Sequence, residues 1–328
     1  MEAAPYSLDG VPDPLGHAEP LPLEESCFPL GFPLVLRTNS EEVVAAVRDA
    51  WGEMPAAFEE TPIELRVVVR PDGGRSLRNP SRGPVFRAQG HLLALVLDAN
   101  NFAVCDLERC FGFATLSPAV ARNHLFLSFH FLDAMAYVCL GQRYATTIHA
   151  ACVARDGKGI LLVGGPGAGK SSLAWACARA GLSYVSDDAT WLLRNGREPA
   201  VIGKPQRFRF RPQAVRLFPE LAKIPRIPSV AGKRSFEIRT AEISGLSTAA
   251  RCVPWKLLFL DRQGSGPAEL SPVSPPETRL RLARVRPLYE RRVWEQQEAS
   301  LEHLVACEAQ ILRYSRLSDA VTEILKLA

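Results

Sequence analysis

The residues best equipped for chemistry are Gly164, Gly165, Pro166, Gly167, Ala168, Gly169, Lys170 and Ser171, which satisfy the pattern G-x-x-x-x-G-K-[ST] in full. Glycines let consecutive backbone N–H groups curl around phosphate oxygens. Lys170 brings a positive charge to the terminal phosphates, and the Ser171 hydroxyl is a hard ligand for Mg²⁺. Ser172 follows in what should be the first turn of a helix, whose N-terminus adds free N–H groups and partial positive charge. The apolar run Ile160 to Val163 before the loop reads as a short buried strand, and Ser171 to Ala180 after it reads as a helix. That context separates a phosphate site from a chance glycine-rich turn. The expected ligands are ATP or another nucleotide, with Mg²⁺.

Asp187 and Asp188 begin 17 residues past Lys170. The intervening helix runs away from the loop for roughly 15 Å at 1.5 Å per residue. Gly181 is placed to end it in a left-handed cap. Leu182 to Ser186 then form a strand of roughly 16 Å. The two lengths nearly cancel, so a strand that turns back returns both carboxylates to the loop. Adjacent acids there can hold Mg²⁺ and take a proton from an attacking hydroxyl. A solvated turn is the alternative that spacing leaves open. His149 lies 21 residues before Lys170, on an expected strand Thr147 to Ala154 that turns at Asp156-Gly157 into the strand before the loop. Its residue type alone also suits a satisfied core histidine.

Taken together, His149-Ala-Ala, Gly164 to Ser171 and Val185-Ser-Asp-Asp188 resemble the catalytic domain of HPr kinase/phosphorylase and its HPr-kinase-like relatives. The resemblance covers residues ~130–328. It implies a P-loop kinase domain of the HPr kinase and phosphoenolpyruvate carboxykinase type. By that resemblance Asp187 is the base toward a serine hydroxyl, Asp188 is a Mg²⁺-associated carboxylate, and His149 orients or tunes the Asp187 carboxylate. Lys170 and Ser171 keep their loop roles. HPr kinases are hexameric, so a homo-oligomer is implied. The family's downstream Mg²⁺-linked glutamate has no match, since the corresponding region is Arg207-Phe-Arg-Phe-Arg211, and the N-terminal region does not resemble the family's regulatory domain. These departures point away from HPr itself, toward relatives that phosphorylate serine on small peptides.

Further along, Arg207, Arg209 and Arg211 alternate with Phe208 and Phe210. On a strand this sets guanidinium groups on one face and rings on the other. The arginines can hold an acidic peptide or a substrate phosphate, or simply form a solvated face. Residues 231–237 read as a flexible basic loop, from which Lys233 or Arg234 can reach a transferring phosphoryl group. Trp255 to Asp261 reads as a central strand. Leu301 to Cys307 and Leu317 to Leu327 read as amphipathic helices that pack against the sheet or another subunit.

Composition bounds these readings. The chain of 328 residues is 47% hydrophobic, enough for a substantial core. No apolar run reaches the ~18 residues of a membrane span, so no membrane association is expected, and the N-terminus lacks a basic segment followed by an apolar one. The eight cysteines form no C-x-x-C, so reduced thiols in a cytoplasmic protein are expected. Residues 1–62 hold 12 acids against 2 bases, leaving a basic body within a net charge of +4. A basic body suits polyanions. No RNA-binding aromatic signature, zinc finger or recognition helix supports nucleic acid.

The expected organisation is an acidic flexible arm over 1–30, a small α/β docking or oligomerisation domain over 31–122 built on strands near 33–38, 63–69, 91–97 and 102–106, and the catalytic domain over 123–328. The expected function is an ATP- and Mg²⁺-dependent kinase acting on serine of a peptide or small protein. A nucleotide-binding regulatory or interaction module with little transfer activity, and a small-molecule kinase, are the alternatives.

Overall fold

This computed structural model of the chain describes residues 19–71, 83–194, 199–230, 233–283 and 291–328, with the side chains of 226–230, 233, 234, 291 and 292 outside the description. The protein is mixed α/β with three sheets among the described residues. It divides into two compact units that meet between Cys139 and Leu140. The expected boundary lay near residue 122. The compact division falls later, inside a helical run from His124 to Arg143.

In the first unit, β1 (Leu23–Cys27), β2 (Leu34–Thr38), α1 (Glu41–Trp51), β3 (Ile63–Val69), β4 (Val85–Gln89), β5 (Leu92–Asp98), β6 (Asn101–Asp106) and β7 (Phe111–Leu116) follow in order. The sheet runs β1-β2-β3-β7-β6-β5-β4, with β2, β3 and β7 parallel. Leu34, Leu36, Ile63, Leu65 and Val67 alternate inward, and Val43, Val44 and Val47 of α1 are buried. This is the period-2 and period-3.6 patterning the sequence carries.

The N-terminal expectation needs correction. Leu23–Cys27 is not part of an extended arm but a strand laid antiparallel on β2. Arg37 holds Glu24 at 2.9 Å, and Arg48 holds Glu25 at 2.8 Å. The acids that made the segment look disordered are the partners that dock it. Residues 1–18 lie outside the described residues.

The unit's helices are α2 (Pro118–Ala121), α3 (His124–Leu127), a π-helical turn (Ser128–Leu132) and α4 (Asp133–Arg143), which crosses into the second unit. Together 124–143 make a helix of 20 residues with mean hydropathy 1.3, long and apolar enough to cross a membrane by length and composition. An apolar run of that length was not expected from the sequence. Phe126, Leu127, Phe131, Leu132, Met135, Ala136, Cys139 and Leu140 are buried in the protein core.

The second unit carries β8 (Ala145–Ile148), β9 (Ala150–Arg155), β10 (Lys158–Val163), α5 (Lys170–Arg179), β11 (Ser183–Ser186), β12 (Thr190–Leu193), β13 (Val201–Ile202), β14 (Arg207–Phe210), β15 (Arg226–Val230), β16 (Lys233–Arg239), β17 (Arg251–Arg262), β18 (Glu269–Pro272), α6 (Pro275–Ala283), α7 (Arg291–Val305), β19 (Glu308–Tyr314) and α8 (Leu317–Leu327). The main sheet runs β11-β9-β10-β17-β13-β12-β8, with β19 on β17 and β18 beyond it. As its apolar sequence suggests, β17 is central, parallel to both β10 and β19.

Both faces of this sheet are covered, which is why β10 is apolar at every position from Ile160 to Val163. Ile160 and Leu162 pack with Leu173, Trp175 and Cys177 of α5 and with Ile324 of α8. Leu161 and Val163 face the opposite way, toward Leu282 of α6 and Leu301 and Leu304 of α7. The strands β14, β16 and β15 form a separate small sheet. Lys233 and Arg234 thus belong to a strand, not to the flexible loop expected at 231–237: β16 is sandwiched between β14 and β15. All eight cysteines are free thiols.

Candidate active site

Three short-range features build the loop. Asp156 and Gly157 take positive φ, 50° and 76°, turning β9 into β10 as a tight hairpin. Gly169 sits at φ +96° as the N-cap of α5, a conformation that favours glycine. α5 ends where expected: Gly181 has φ +102°, its N–H reaches the Ala178 carbonyl, and the Leu182 N–H reaches the Cys177 carbonyl. This double bond pattern closes the helix and starts β11 back toward the loop.

The expected strand over 147–154 is interrupted, and the interruption makes the site. β8 ends at Ile148 and β9 begins at Ala150. Ala150 pairs with Val163, the last residue of β10. His149 therefore stands level with Gly164, released from the ladder at the mouth of the glycine-rich loop. Lys170 is only 7% exposed. Its Nζ donates to the Gly164 carbonyl at 2.7 Å and lies 3.1 Å from His149 Nε2. On its other side, His149 Nδ1 lies 3.4 Å from Asp188 Oδ1.

An ammonium can only donate, so Nε2 accepts and the ring proton sits on Nδ1, facing Asp188. The electrostatics agree. Burial lowers the His149 pKa, Asp188 raises it, Lys170 lowers it again, and the net direction is down. The ring is neutral at pH 7. Lys170 is lowered too, by burial first and by Arg211, against the opposing pull of Asp188.

Asp187 faces elsewhere. Its Oδ2 accepts the Arg209 backbone N–H at 3.0 Å, and its backbone carbonyl accepts from Ser171 Oγ at 3.2 Å. Burial chiefly, with the neighbouring Asp188 charge, pushes its carboxyl up to about 6 despite the Arg209 N–H. The expected pairing of His149 with Asp187 is thus replaced by His149 with Asp188. The physical reason is the free edge of β14, which takes Asp187. At that same edge the Arg207 carbonyl accepts from Tyr184 Oη at 3.0 Å.

The arginine strand divides its faces as its alternation predicts. Phe208 and Phe210 meet Trp175 of α5 edge-on, with centroids 4.8 and 5.3 Å away, and Phe208 stacks on Tyr184. On the other face Arg207 and Arg209 each hold Glu237 at 2.7 Å. Burial alone would raise the Glu237 carboxyl. The two guanidinium groups outweigh it, Arg209 more strongly, and hold it low. Arg211 is exposed at the end of β14. The side chains of Lys233 and Arg234 lie outside the described residues.

Two residues of this site went unread in the sequence. Tyr314, the last residue of β19, donates from Oη to the Ala168 carbonyl at 2.6 Å, and a Cβ added to Gly169 would overlap that Oη. No local signal marks Tyr314, because β19 reaches the loop only through its parallel pairing with β17. Glu237 is the other. It stands directly across from Arg209 in the β14–β16 register, a relation that requires knowing the pairing.

Among the described residues no cluster of three or more His, Cys, Asp or Glu side chains stands ready to hold a metal. The donor set near the loop, the Ser171 hydroxyl and the Asp188 carboxylate, is hard oxygen. It suits Mg²⁺, which takes one or two protein ligands and completes its shell with phosphate and water.

No protein-family model matches the chain, and no curated protein matches it. Among solved structures, the Hpr(Ser) kinase/phosphatase from Coxiella burnetii is similar over 55% of this chain and 96% of its own, at 13% identity and a TM-score of 0.29. That likeness is weak.

Proposed function

We propose that the second unit is a nucleotide-dependent phosphotransferase with a P-loop kinase fold, acting on the serine hydroxyl of a peptide or small protein. The observation that carries this reading is the gathering of His149, Lys170, Ser171, Asp187 and Asp188 around one glycine-rich loop, with the Asp187 carboxyl raised to about 6. The motifs that resemble HPr-kinase-like enzymes support the same reading.

In this mechanism the N–H groups of the loop and of the first turn of α5 cradle the β- and γ-phosphates. Lys170 leaves the Gly164 carbonyl for the incoming phosphate oxygens, a stronger partner for an ammonium in a dry site. Ser171 and Asp188 would hold Mg²⁺, which supplies charge neutralisation to the phosphates when bound. The neutral His149 ring, with Nδ1 facing Asp188 at 3.4 Å, keeps Lys170 turned toward the loop. Asp187, with a pKa near neutrality, suits a general base. It takes the acceptor proton as the serine oxygen attacks the γ-phosphorus in line, while the bond to the β–γ bridging oxygen breaks and the nucleoside diphosphate leaves.

The test is incubation with γ-labelled ATP, Mg²⁺ and serine-containing peptides, read by mass. A gain of one phosphoryl group on the wild-type reaction, absent with Asp187→Asn, is expected. Full transfer by Asp187→Asn would overturn the assignment of the base. A second reading, a nucleotide-binding module without transfer, draws on one observation: Lys170 is already satisfied by its own loop carbonyl and His149. Nucleotide binding with no transfer to any peptide would favour it.

A further inference from the structure

The segment between β13 and β17 carries an unusual charge. From Lys204 to Arg239 there are ten lysines and arginines against two glutamates, Glu220 and Glu237, in a chain whose net charge is only +4. The fold puts part of that charge beside the site. Arg207 and Arg209 of β14 share one face of the small sheet with Arg239 and Glu237 of β16, their partners in register. The opposite face is spent on Phe208, Phe210, Phe236 and Ile238, all buried. Both ion pairs on this face join to one carboxylate, so Arg207 and Arg209 together bring two positive charges to the single negative charge of Glu237.

The free edge of the same strand holds Asp187 through the Arg209 N–H, and the exposed Arg211 lies near enough to Lys170 to depress its pKa. A hydroxyl that reaches Asp187 must therefore pass beside this cationic face. Its charge is more than the nucleotide needs, since the loop amides and Lys170 already serve the phosphates.

We infer that the acceptor is an acidic peptide segment, with aspartate or glutamate side chains flanking the target serine and docked on the outer face of β14 and β16. Guanidinium groups favour carboxylates because their paired N–H donors match two oxygens at once. A single exposed pair contributes little, but several on one face raise encounter rates and set register. Nucleic acid is the competing polyanion. It is disfavoured because the rings that would stack on bases, Phe208 and Phe210, are turned inward against Trp175. The inference rests on the phosphotransferase reading for the identity of the docked group as an acceptor, and on the charged face alone for its acidity.

The experiment uses the full chain and peptides of equal length centred on serine, with flanks of Asp/Glu, Asn/Gln or Lys/Arg. Binding is measured by fluorescence anisotropy and transfer by steady-state kinetics. The acidic peptide should bind about tenfold more tightly than the neutral one and show a similar advantage in kcat/KM. Arg239→Ala should reduce that advantage about threefold while leaving nucleotide affinity and turnover of the neutral peptide unchanged, and added salt should erode it. Acidic preference in binding without any transfer would leave the docking surface standing and sink the kinase reading. Transfer with no charge preference would do the reverse. Equal binding of all three peptides, or tighter binding of a single-stranded RNA of matched charge, would overturn the inference.

Discussion

Lys170 Nζ stands 3.1 Å from His149 Nε2, so the cation of the glycine-rich loop is positioned by a ring whose far nitrogen faces Asp188. Removing the ring takes away one of two partners from a buried ammonium, a loss of about 1.5–3 kcal/mol for a charged hydrogen bond. His149→Ala should slow transfer by about 10–100-fold in steady-state kinetics. His149→Gln, whose Oε1 can accept from Lys170, should recover part of that loss. An unchanged rate in His149→Ala would remove the ring from the mechanism.

Asp187 gives a pH signature. Its folded-state pKa, about 6, lies above its ordinary value of 3.8. The protein thus prefers the protonated carboxyl. The associated stabilisation is complete below about 4 and is lost as pH rises through about 6. Asp187→Asn keeps an oxygen for the Arg209 N–H and never ionises. At pH 8 it should be more stable than wild type by about 1–2 kcal/mol, the full shift being discounted for partial exposure. Thermal melts should show that gap narrowing toward pH 4. The wild-type rate should rise with pH through an apparent pKa of about 6, and a flat acid limb would argue against Asp187 as the base.

Tyr314 and Gly169 test the loop itself. Tyr314→Phe removes the hydrogen bond to the Ala168 carbonyl, worth about 1 kcal/mol, and should weaken nucleotide binding by about fivefold with little change in kcat. Gly169→Ala should be far worse. It places a side chain at φ +96° against the Tyr314 oxygen, at a cost of about 2 kcal/mol or more. Gly165→Ala meets nothing within 4 Å and should melt like wild type. Calorimetry and nucleotide titration separate the three, and a destabilised Gly165→Ala would contradict the loop geometry.

Glu237 anchors the paired arginines of β14. Its carboxyl is held below its ordinary value by Arg209 and Arg207 against the opposing effect of burial. The stabilisation is therefore present above about 4.5 and lost as pH falls through the lower folded value. Glu237→Gln should cost about 1–2 kcal/mol at pH 7, and the gap to wild type should close in acid. Urea titrations at pH 7 and pH 3 measure both. A cost that persists undiminished at pH 3 would show that packing, not the ion pairs, carries it.

Much of this was legible from residue order. The loop glycines, the helix 170–179 and its Gly181 cap, the return strand and the ring–arginine alternation of β14 all follow from local rules with short reach. The misreadings share one cause. Leu23–Cys27 looked disordered because its acids are satisfied by Arg37 and Arg48, which lie further along the chain. Residues 231–237 looked like a loop because the strand character of β16 depends on β14 and β15 as neighbours. His149 was placed inside a strand because nothing local announces the break after Ile148.

By itself, then, the sequence determined that a phosphate-type loop is followed, one helix and one strand later, by a pair of carboxylates. Those distances are set by the fixed rise per residue of helix and strand. Tertiary structure alone decided what surrounds each carboxylate. Asp187 and Asp188 are chemically equal in the chain. They differ because the free edge of β14 offers one of them a backbone N–H in a half-buried setting, while the interrupted strand before β9 offers the other an imidazole. Hydrogen-bond partners and burial come from elements far apart in sequence, and in the proposed mechanism they are what would separate a base from a metal ligand.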